Sequence, residues 1–148
     1  MANLEALGNS AGSWLTYDSQ DGKWAIVINR ARTVDAYFDD DNIVGSITVN
    51  GTGLDNFYNS VEVQFPHRDL NDQADWINIE IPDEDRNPNE PDKTLTLNYP
   101  LVNEPVQAQM LGLIELKQSR VDLIVNFTND FSAIATAAGD VIAITNTV

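Results

Sequence analysis

The sequence contains no cysteine among its 148 residues, which excludes disulfides and thiolate metal sites. A serine nucleophile needs a histidine as its base, and the sequence has only one histidine, His67. The GxSxG motif of serine hydrolases is missing. No apolar run approaches the roughly 20 residues of a membrane-spanning helix. Metalloprotease, Walker and dinucleotide-binding motifs are also missing. These absences predict a protein that is not an enzyme, with no catalytic, cofactor-binding or metal-binding residues.

Basic residues are scarce as well. Eight lysines and arginines stand against 23 aspartates and glutamates, which gives a formal net charge of -15. A surface this acidic repels phosphate, so we expect no nucleic-acid partner and no membrane partner. Hydrophobic residues make up 43% of the chain, enough to build a buried core and too many for a disordered segment. The length fits one domain, and we predict a single domain over residues 1–148.

One main helix is predicted over about residues 104–120, with Asn103 as its N-cap and Pro105 in its first turn. We expect Leu113 to lie near the centre of the core. Apolar residues at helical spacing define the face that we expect to be buried: Val106, Met110, Leu113 and Ile114. Leu111 and Leu116 flank this face on either side, so we expect more than half of the helix circumference to be buried. Residues 121–127 alternate between apolar and polar side chains, which predicts a buried strand directly after the helix.

The rest of the chain is predicted to be mostly β-structure. Residues 14–29 resemble a hairpin, and apolar side chains on both faces of its second strand place that strand at the centre of a sheet. Further strands are predicted over residues 43–49, 60–65, 75–81, 95–97 and 141–145. Val61, Val63 and Phe65 should point inward, as should Ile77, Ile79 and Ile81.

Turn and loop signals separate these strands. Asn50-Gly51 predicts a type I′ turn, and Pro66 predicts the end of a strand. Residues 82–94 are acidic and proline-rich, so we expect an exposed loop. The predicted fold is α+β, mostly antiparallel sheet that forms a sandwich or an open barrel, with the main helix packed on it.

Two polar segments are candidates for sites. The run Asp39-Asp40-Asp41-Asn42 offers oxygen ligands for calcium, but it lacks the ligand spacing and the glycine of an EF-hand loop, so we favour a solvated turn. His67 stands between Pro66 and Arg68 and is interpreted as a loop histidine bonded to a nearby carboxylate. A glycosidase needs only two facing carboxylates, and no pair of acidic residues stands out in the sequence.

The three tryptophans are interpreted separately. Trp14 and Trp24 lie on strands with core character, so we expect both to be buried. Trp76 shares a strand face with Asn78 and Glu80. That position leaves two alternatives open, a ring covered by the same chain or an exposed contact for a partner or a sugar.

Several segments occur in a distinctive order. They are residues 13–17 with Gly22-Lys23-Trp24, residues 42–47, residues 58–66, the helical residues 107–120, and residues 138–145. A hairpin with a Gly-Lys-Trp return strand comes first, and a later strand ends in Val-x-Phe-Pro. A helix rich in Gln, Ala, Leu and Arg follows, and a Gly-Asp-Val strand comes last. Together they resemble tailed-bacteriophage tail proteins of the baseplate-hub or tail-tip class.

The resemblance implies a virion structural protein of the tail, without enzymatic activity, that connects the tail tube to the tip during assembly. It implies other tail and baseplate proteins as partners and a homo-oligomeric ring in the full-length parent. Proteins of this class are much longer, so we expect residues 1–148 to be an internal domain or a fragment. The alternative is a β-module that binds carbohydrate or a receptor through exposed aromatic residues or calcium.

Overall fold

The computed structural model describes residues 2–18, 22–51, 53, 57–121 and 123–145. Within these residues, two α-helices and nine strands confirm the predicted α+β fold. In chain order they are α1 (Ala2–Ser10), β1 (Ser13–Asp18), β2 (Lys23–Ile28), β3 (Ala36–Phe38), β4 (Thr48–Gly51), β5 (Ser60–His67), β6 (Gln73–Glu80), β7 (Thr94–Asn98), α2 (Pro105–Ser119), β8 (Leu123–Asn126) and β9 (Ile142–Ile144). Neither described helix has the length and apolar character needed to span a bilayer.

The chain divides into two compact units. The first unit contains Met1–Ala11 and Gly51–Leu123, and the second contains Gly12–Asn50 and Ile124–Val148. The single domain over residues 1–148 stays a prediction.

The first unit is built on a three-stranded sheet in the order β6-β5-β7. Its central strand, β5, is antiparallel to β6 and parallel to β7. The side chains of Val61, Val63 and Phe65 are at most 1% exposed, because strand alternation turns all three toward the same face. Ile77 and Ile79 of β6 pack against this core. The inward-facing residues predicted for both strands are therefore confirmed.

Helix α2 packs on the apolar face of this sheet and confirms the predicted main helix. Its buried residues, Ala108, Leu111, Gly112 and Leu116, recur at helical spacing. A Cβ atom on Gly112 would lie 2.5 Å from Val63 Cγ2 and 2.9 Å from Ile79 Cδ1. The glycine therefore allows the helix backbone to approach the sheet closely.

The centre of the predicted buried face is wrong, although the two flanking residues Leu111 and Leu116 are buried as expected. Val106 and Met110 are each 61% exposed, and Leu113 is 37% exposed. That face has the larger apolar side chains, so its sequence pattern favours burial. The helix instead turns its small residues Ala108 and Gly112 toward the sheet, which allows it to approach Val63 and Ile79 closely, and Leu111 and Leu116 fill the core beside them.

The predicted start of the helix needs one correction. Glu104, not Asn103, is the N-cap, and its side chain makes no capping hydrogen bond. The Glu104 carboxylate is paired with the Arg68 guanidinium instead. The Asn103 carbonyl accepts a hydrogen bond from the Arg68 N–H at 3.2 Å. Pro105 opens the helix as predicted, where its missing N–H has no helical partner to lose.

Strand β5 does not end at Pro66 but continues to His67, with Pro66 opposite Ala74 of β6. The pairing of β5 with β7 ends at Gln64 and Asn98. Beyond that point no strand among the described residues pairs with this edge of β5, so a proline is tolerated because no strand there needs its N–H.

The three two-stranded pairs, β1-β2, β3-β9 and β4-β8, belong to the second unit except for Gly51 and Leu123 at their ends. Strands β1 and β2 form the predicted antiparallel hairpin, from Ser13 opposite Ile28 to Asp18 opposite Lys23. Residues 19–21 of its predicted turn lie outside the described residues. Strands β3 and β9 pair in parallel across more than 100 residues of sequence, which local patterns do not reveal.

Four predictions for the second unit are wrong. Among the described residues β2 pairs only with β1, so it is not a central strand. All four residues of β8 are exposed, although a buried strand was predicted. The strand predicted over residues 43–49 is shortened to β4, because Gly45 has a φ of 88°, outside the extended region. Asn50 and Gly51 lie in β4 rather than in a turn.

The helix–sheet contact predicts unequal effects of two leucine substitutions in α2. Leu116 is fully buried, so Leu116→Ala should lower the free energy of unfolding by about 2–5 kcal/mol. Leu113→Ala on the partly exposed side should cost less than about 1 kcal/mol. Urea denaturation of both variants and the wild type measures these values. Equal losses at the two positions would contradict the observed orientation of the helix.

Candidate functional site

One face of the β1-β2 hairpin is apolar and exposed. Directly opposed residues of an antiparallel pair share a face, which brings Leu15 beside Ile26 and Tyr17 beside Trp24. The Tyr17 and Trp24 rings meet edge to face, with centroids 5.4 Å apart. We call the set Leu15, Tyr17, Trp24, Ile26 and Ile28 the hairpin face. Apart from the partly buried Leu15, its members are between 51% and 63% exposed.

The other face of the hairpin is partly covered by its own chain. A Cβ atom on Gly139 would lie 2.8 Å from Val27 Cγ2, so the turn at Gly139 packs directly on Val27. The Gly139 φ of 102° also favours glycine at this point. Asp140 supports the turn, since its carboxylate accepts the Ala137 N–H at 2.7 Å. The described residues thus cover part of the Val27 side of the hairpin and leave most of the hairpin face exposed.

The expected burial of two tryptophans is wrong. Trp24 on the hairpin face is 57% exposed, and Trp14 on the other face is 41% exposed. Their strands have core character in sequence, but a sheet with only two strands leaves much of its surface open. Trp76 is 53% exposed, so of the two alternatives left open for it the exposed ring is the one observed.

Trp76 belongs to a polar face on the sheet of the first unit. Gln64 lies between Trp76 and Asn98 in one row across the three strands, and Glu62 lies between Asn78 and Thr96 in the next row. All these side chains point away from α2, and only Gln64 is partly buried. We call this set of six residues the Trp76 face.

The acidic loop beside this sheet is held by a buried ion pair. Arg120, which follows α2, places Nη1 2.6 Å from Glu90 Oε1 and Nη2 3.1 Å from Glu90 Oε2. The same guanidinium donates to the carbonyls of Tyr58 and Asp85 and lies 5.5 Å above the Phe57 ring. The Glu90 side chain is 1% exposed. Arg120 lowers the pKa of Glu90 to about 2, although burial acts in the opposite direction.

Further contacts attach the rest of this loop. Arg86 Nη1 donates to Asp92 Oδ1 at 3.0 Å. Asn59, which is 1% exposed, donates to the Pro91 carbonyl at 3.0 Å and accepts the Lys93 N–H at 2.9 Å. The loop is thus mostly exposed, as predicted, but Glu90 is buried. The sequence does not reveal that Arg120 pairs with Glu90, because the two residues lie 30 positions apart.

The run Asp39–Asn42 forms a turn that uses its own side chains. The Asp39 N–H donates to Asn42 Oδ1 at 2.8 Å, and the Asp41 N–H donates to Asp39 Oδ1 at 3.1 Å. In the described part of the chain, no group of three or more histidine or acidic side chains is placed to hold a metal ion. The run therefore forms a turn that its own side chains stabilise, and the absence of calcium stays a prediction.

His67 also serves a local turn. Its Nδ1 accepts the Asp69 N–H at 3.2 Å, and its ring lies 5.7 Å from that of Phe65. His67 therefore ends strand β5 and caps the following turn rather than lying in a loop, and its partner is a backbone N–H rather than a carboxylate.

The Glu90–Arg120 pair predicts a pH dependence of stability. The folded-state pKa of Glu90 lies below its ordinary value of 4.5, so the pair stabilises the fold fully above about pH 4.5. This contribution is lost as the pH falls from there toward 2. Glu90→Gln should lower the free energy of unfolding at pH 7 by roughly 1–3 kcal/mol and flatten its dependence on pH in that range.

Urea denaturation at a series of pH values tests this prediction. Glu84→Gln, a matched change at an exposed position of the same loop, should leave both the stability and its pH dependence within about 0.5 kcal/mol of wild type. Identical pH profiles for Glu90→Gln and wild type would show that the pair does not act in this way.

Comparison with known proteins shows similarity to a protein family and to solved structures. A family model described as "Putative phage tail protein" matches residues 14–148. Among solved structures, the chain is similar to the tail protein from Neisseria meningitidis MC58, with a TM-score of 0.57 at 13% sequence identity. The similarity covers 97% of this chain and 43% of that one, so this chain spans less than half of its length. At this identity the structural likeness shows the fold. No curated protein matches the sequence.

Proposed function

This chain belongs to the phage tail protein family and is located in the virion tail, and on that premise we propose that it is a structural component of the hub or tip, where it takes part in assembly and connects the tail tube to the tip. We propose further that it has no enzymatic activity. The chemistry of the described residues is consistent with this, since His67 and the Asp39–Asn42 run are engaged in local turns.

The observation that carries this proposal is the hairpin face. An exposed apolar patch that contains a tryptophan and a tyrosine is typical of a protein–protein contact, because such rings bury a large area at a small entropic cost. The turn at Gly139 packs on the Val27 side of the hairpin, so the hairpin face is the side that stays exposed. A tail component needs surfaces of this kind for its neighbours.

The net charge of the chain also favours the hairpin face as the contact between like subunits. With a net charge of -15, copies of this chain repel one another unless their contact surfaces are neutral. The hairpin face contains no charged residue. We propose that the full-length parent forms a ring in which this face contacts a neighbouring subunit or another tail protein, while the acidic segments 39–41 and 82–94 remain outside the contacts.

A charge placed on the hairpin face should block assembly without unfolding the chain. Ile26 is 63% exposed, so Ile26→Asp should change the free energy of unfolding by less than about 0.5 kcal/mol. Its incorporation into tails, measured by complementation with the full-length parent and quantification of assembled particles, should fall by about tenfold or more. The matched control is Val44→Asp, at a 57% exposed position of the same unit outside the hairpin, which should assemble normally. Normal assembly of Ile26→Asp would refute the proposed contact.

The isolated chain should be monomeric or weakly dimeric at low salt, because its net charge opposes association. Added salt should promote association, since screening shortens the repulsion to about 8–10 Å at ordinary ionic strength. Light scattering across a salt series measures this. A tight oligomer at low salt that dissociates as salt rises would contradict the prediction, because attraction between charges would then hold the assembly together.

A further inference from the structure

The Trp76 face differs in chemistry from the hairpin face. The row of its single aromatic ring also contains two amides, Gln64 on the neighbouring strand and Asn98 on the strand beyond it, and a second polar row lies beside them. A protein contact normally has several apolar side chains at its centre. One exposed ring with hydrogen-bonding groups on the same flat surface instead suits a ligand that is apolar on one side and rich in hydroxyl groups at its edges.

Two adjoining depressions extend this face beyond the row of Trp76. The first has a volume of about 200 Å³ and is lined by residues that include Gln64, Ala74 and Asn98. The second, of about 350 Å³, shares Pro66, Asp72 and Pro100 with the first. The first is smaller than the roughly 300 Å³ at which pockets for drug-sized ligands begin. Its size suits one ring of a ligand, and the second leaves room for the next.

The charges on and around the face select against anions. Glu62 lies in the second row, and Asp72 lines both depressions. The positive charge of Arg86 is remote from this site, because Arg86 approaches Glu80 at the far end of β6, four residues along the strand from Trp76. A phosphate, sulfate or sialic acid group near Trp76 would therefore meet carboxylates, whereas an uncharged ligand would find hydrogen-bond acceptors for its hydroxyl groups.

We propose that the Trp76 face binds an uncharged oligosaccharide. One sugar ring stacks its apolar C–H side on the Trp76 indole, and the amides of Gln64 and Asn98 bond to its hydroxyl groups. The adjacent sugar occupies the first depression and contacts the Asp72 carboxylate. This binding is a function separate from tail assembly through the hairpin face, so either one can fail without the other.

The test is a glycan array followed by calorimetric titration of the whole chain. The probes are neutral oligosaccharides and the same oligosaccharides capped with sialic acid. We expect binding of neutral members and at least tenfold weaker binding of their sialylated counterparts. Trp76→Ala should weaken binding by about tenfold or more. Trp24→Ala is the matched control, since its ring is exposed to a similar extent in the other unit, and it should change the affinity less than twofold.

A second variant keeps the test decisive if Trp76→Ala does not fold. Asn98→Ala removes an exposed amide at the first depression and should weaken binding at least threefold without loss of structure by circular dichroism. The proposal is refuted if no neutral oligosaccharide binds, if sialylated probes bind as well as neutral ones, or if Trp24→Ala weakens binding as much as Trp76→Ala. It is also refuted if Trp76→Ala lowers tail incorporation but leaves glycan binding intact, since the face would then contact a protein.

Discussion

The close contact between helix α2 and the sheet beneath it is the constraint on which the first unit depends. Gly112 allows the helix backbone to come so near the sheet that any side chain at that position would collide with Val63 and Ile79. At this distance Leu111 and Leu116 reach the core from either side of the glycine. Because β5 is the central strand, the same contact positions β6 and β7 and therefore the rows of the Trp76 face. A larger residue at position 112 would have to shift the helix or the sheet, at a typical cost of about 1–3 kcal/mol.

The large negative charge is a second constraint, and two arginines compensate for part of it. Arg120 lies directly after α2, so the helix that closes the core also positions the guanidinium that holds Glu90. Its bonds to the Asp85 carbonyl within the acidic loop and to the Tyr58 carbonyl outside it join the loop to another part of the unit. Burial of a carboxylate is costly unless its charge is paired, and here the pairing is bidentate. Arg86 acts similarly on the exposed side of the loop, where solvent weakens each ion pair.

The two exposed surfaces that carry tryptophan have different surroundings, and this difference decides their proposed roles. The hairpin face combines Trp24 with aliphatic side chains and no charge, which favours a large, dry protein contact. The Trp76 face combines its ring with amides and one carboxylate, that of Glu62, which favours a small polar ligand. Exposure alone does not separate the two sites, since Trp24 and Trp76 are exposed to nearly the same extent. The side chains opposite each ring on the neighbouring strand make the distinction.

The sequence by itself determined the local structure, namely the main helix, the hairpin and the alternation along β5 and β6, because these depend on the spacing of neighbouring residues. The order of its segments also indicated a phage tail protein, and the family match agrees with this. Only the tertiary structure decided which face of α2 is buried, because the space above Val63 accepts Gly112 and not the larger Leu113. It also decided that Trp24 is exposed, since local pattern does not reveal how many strands a sheet contains. The buried Glu90–Arg120 pair was also decided only by the tertiary structure, because the two residues are far apart in the chain and no local spacing rule connects them.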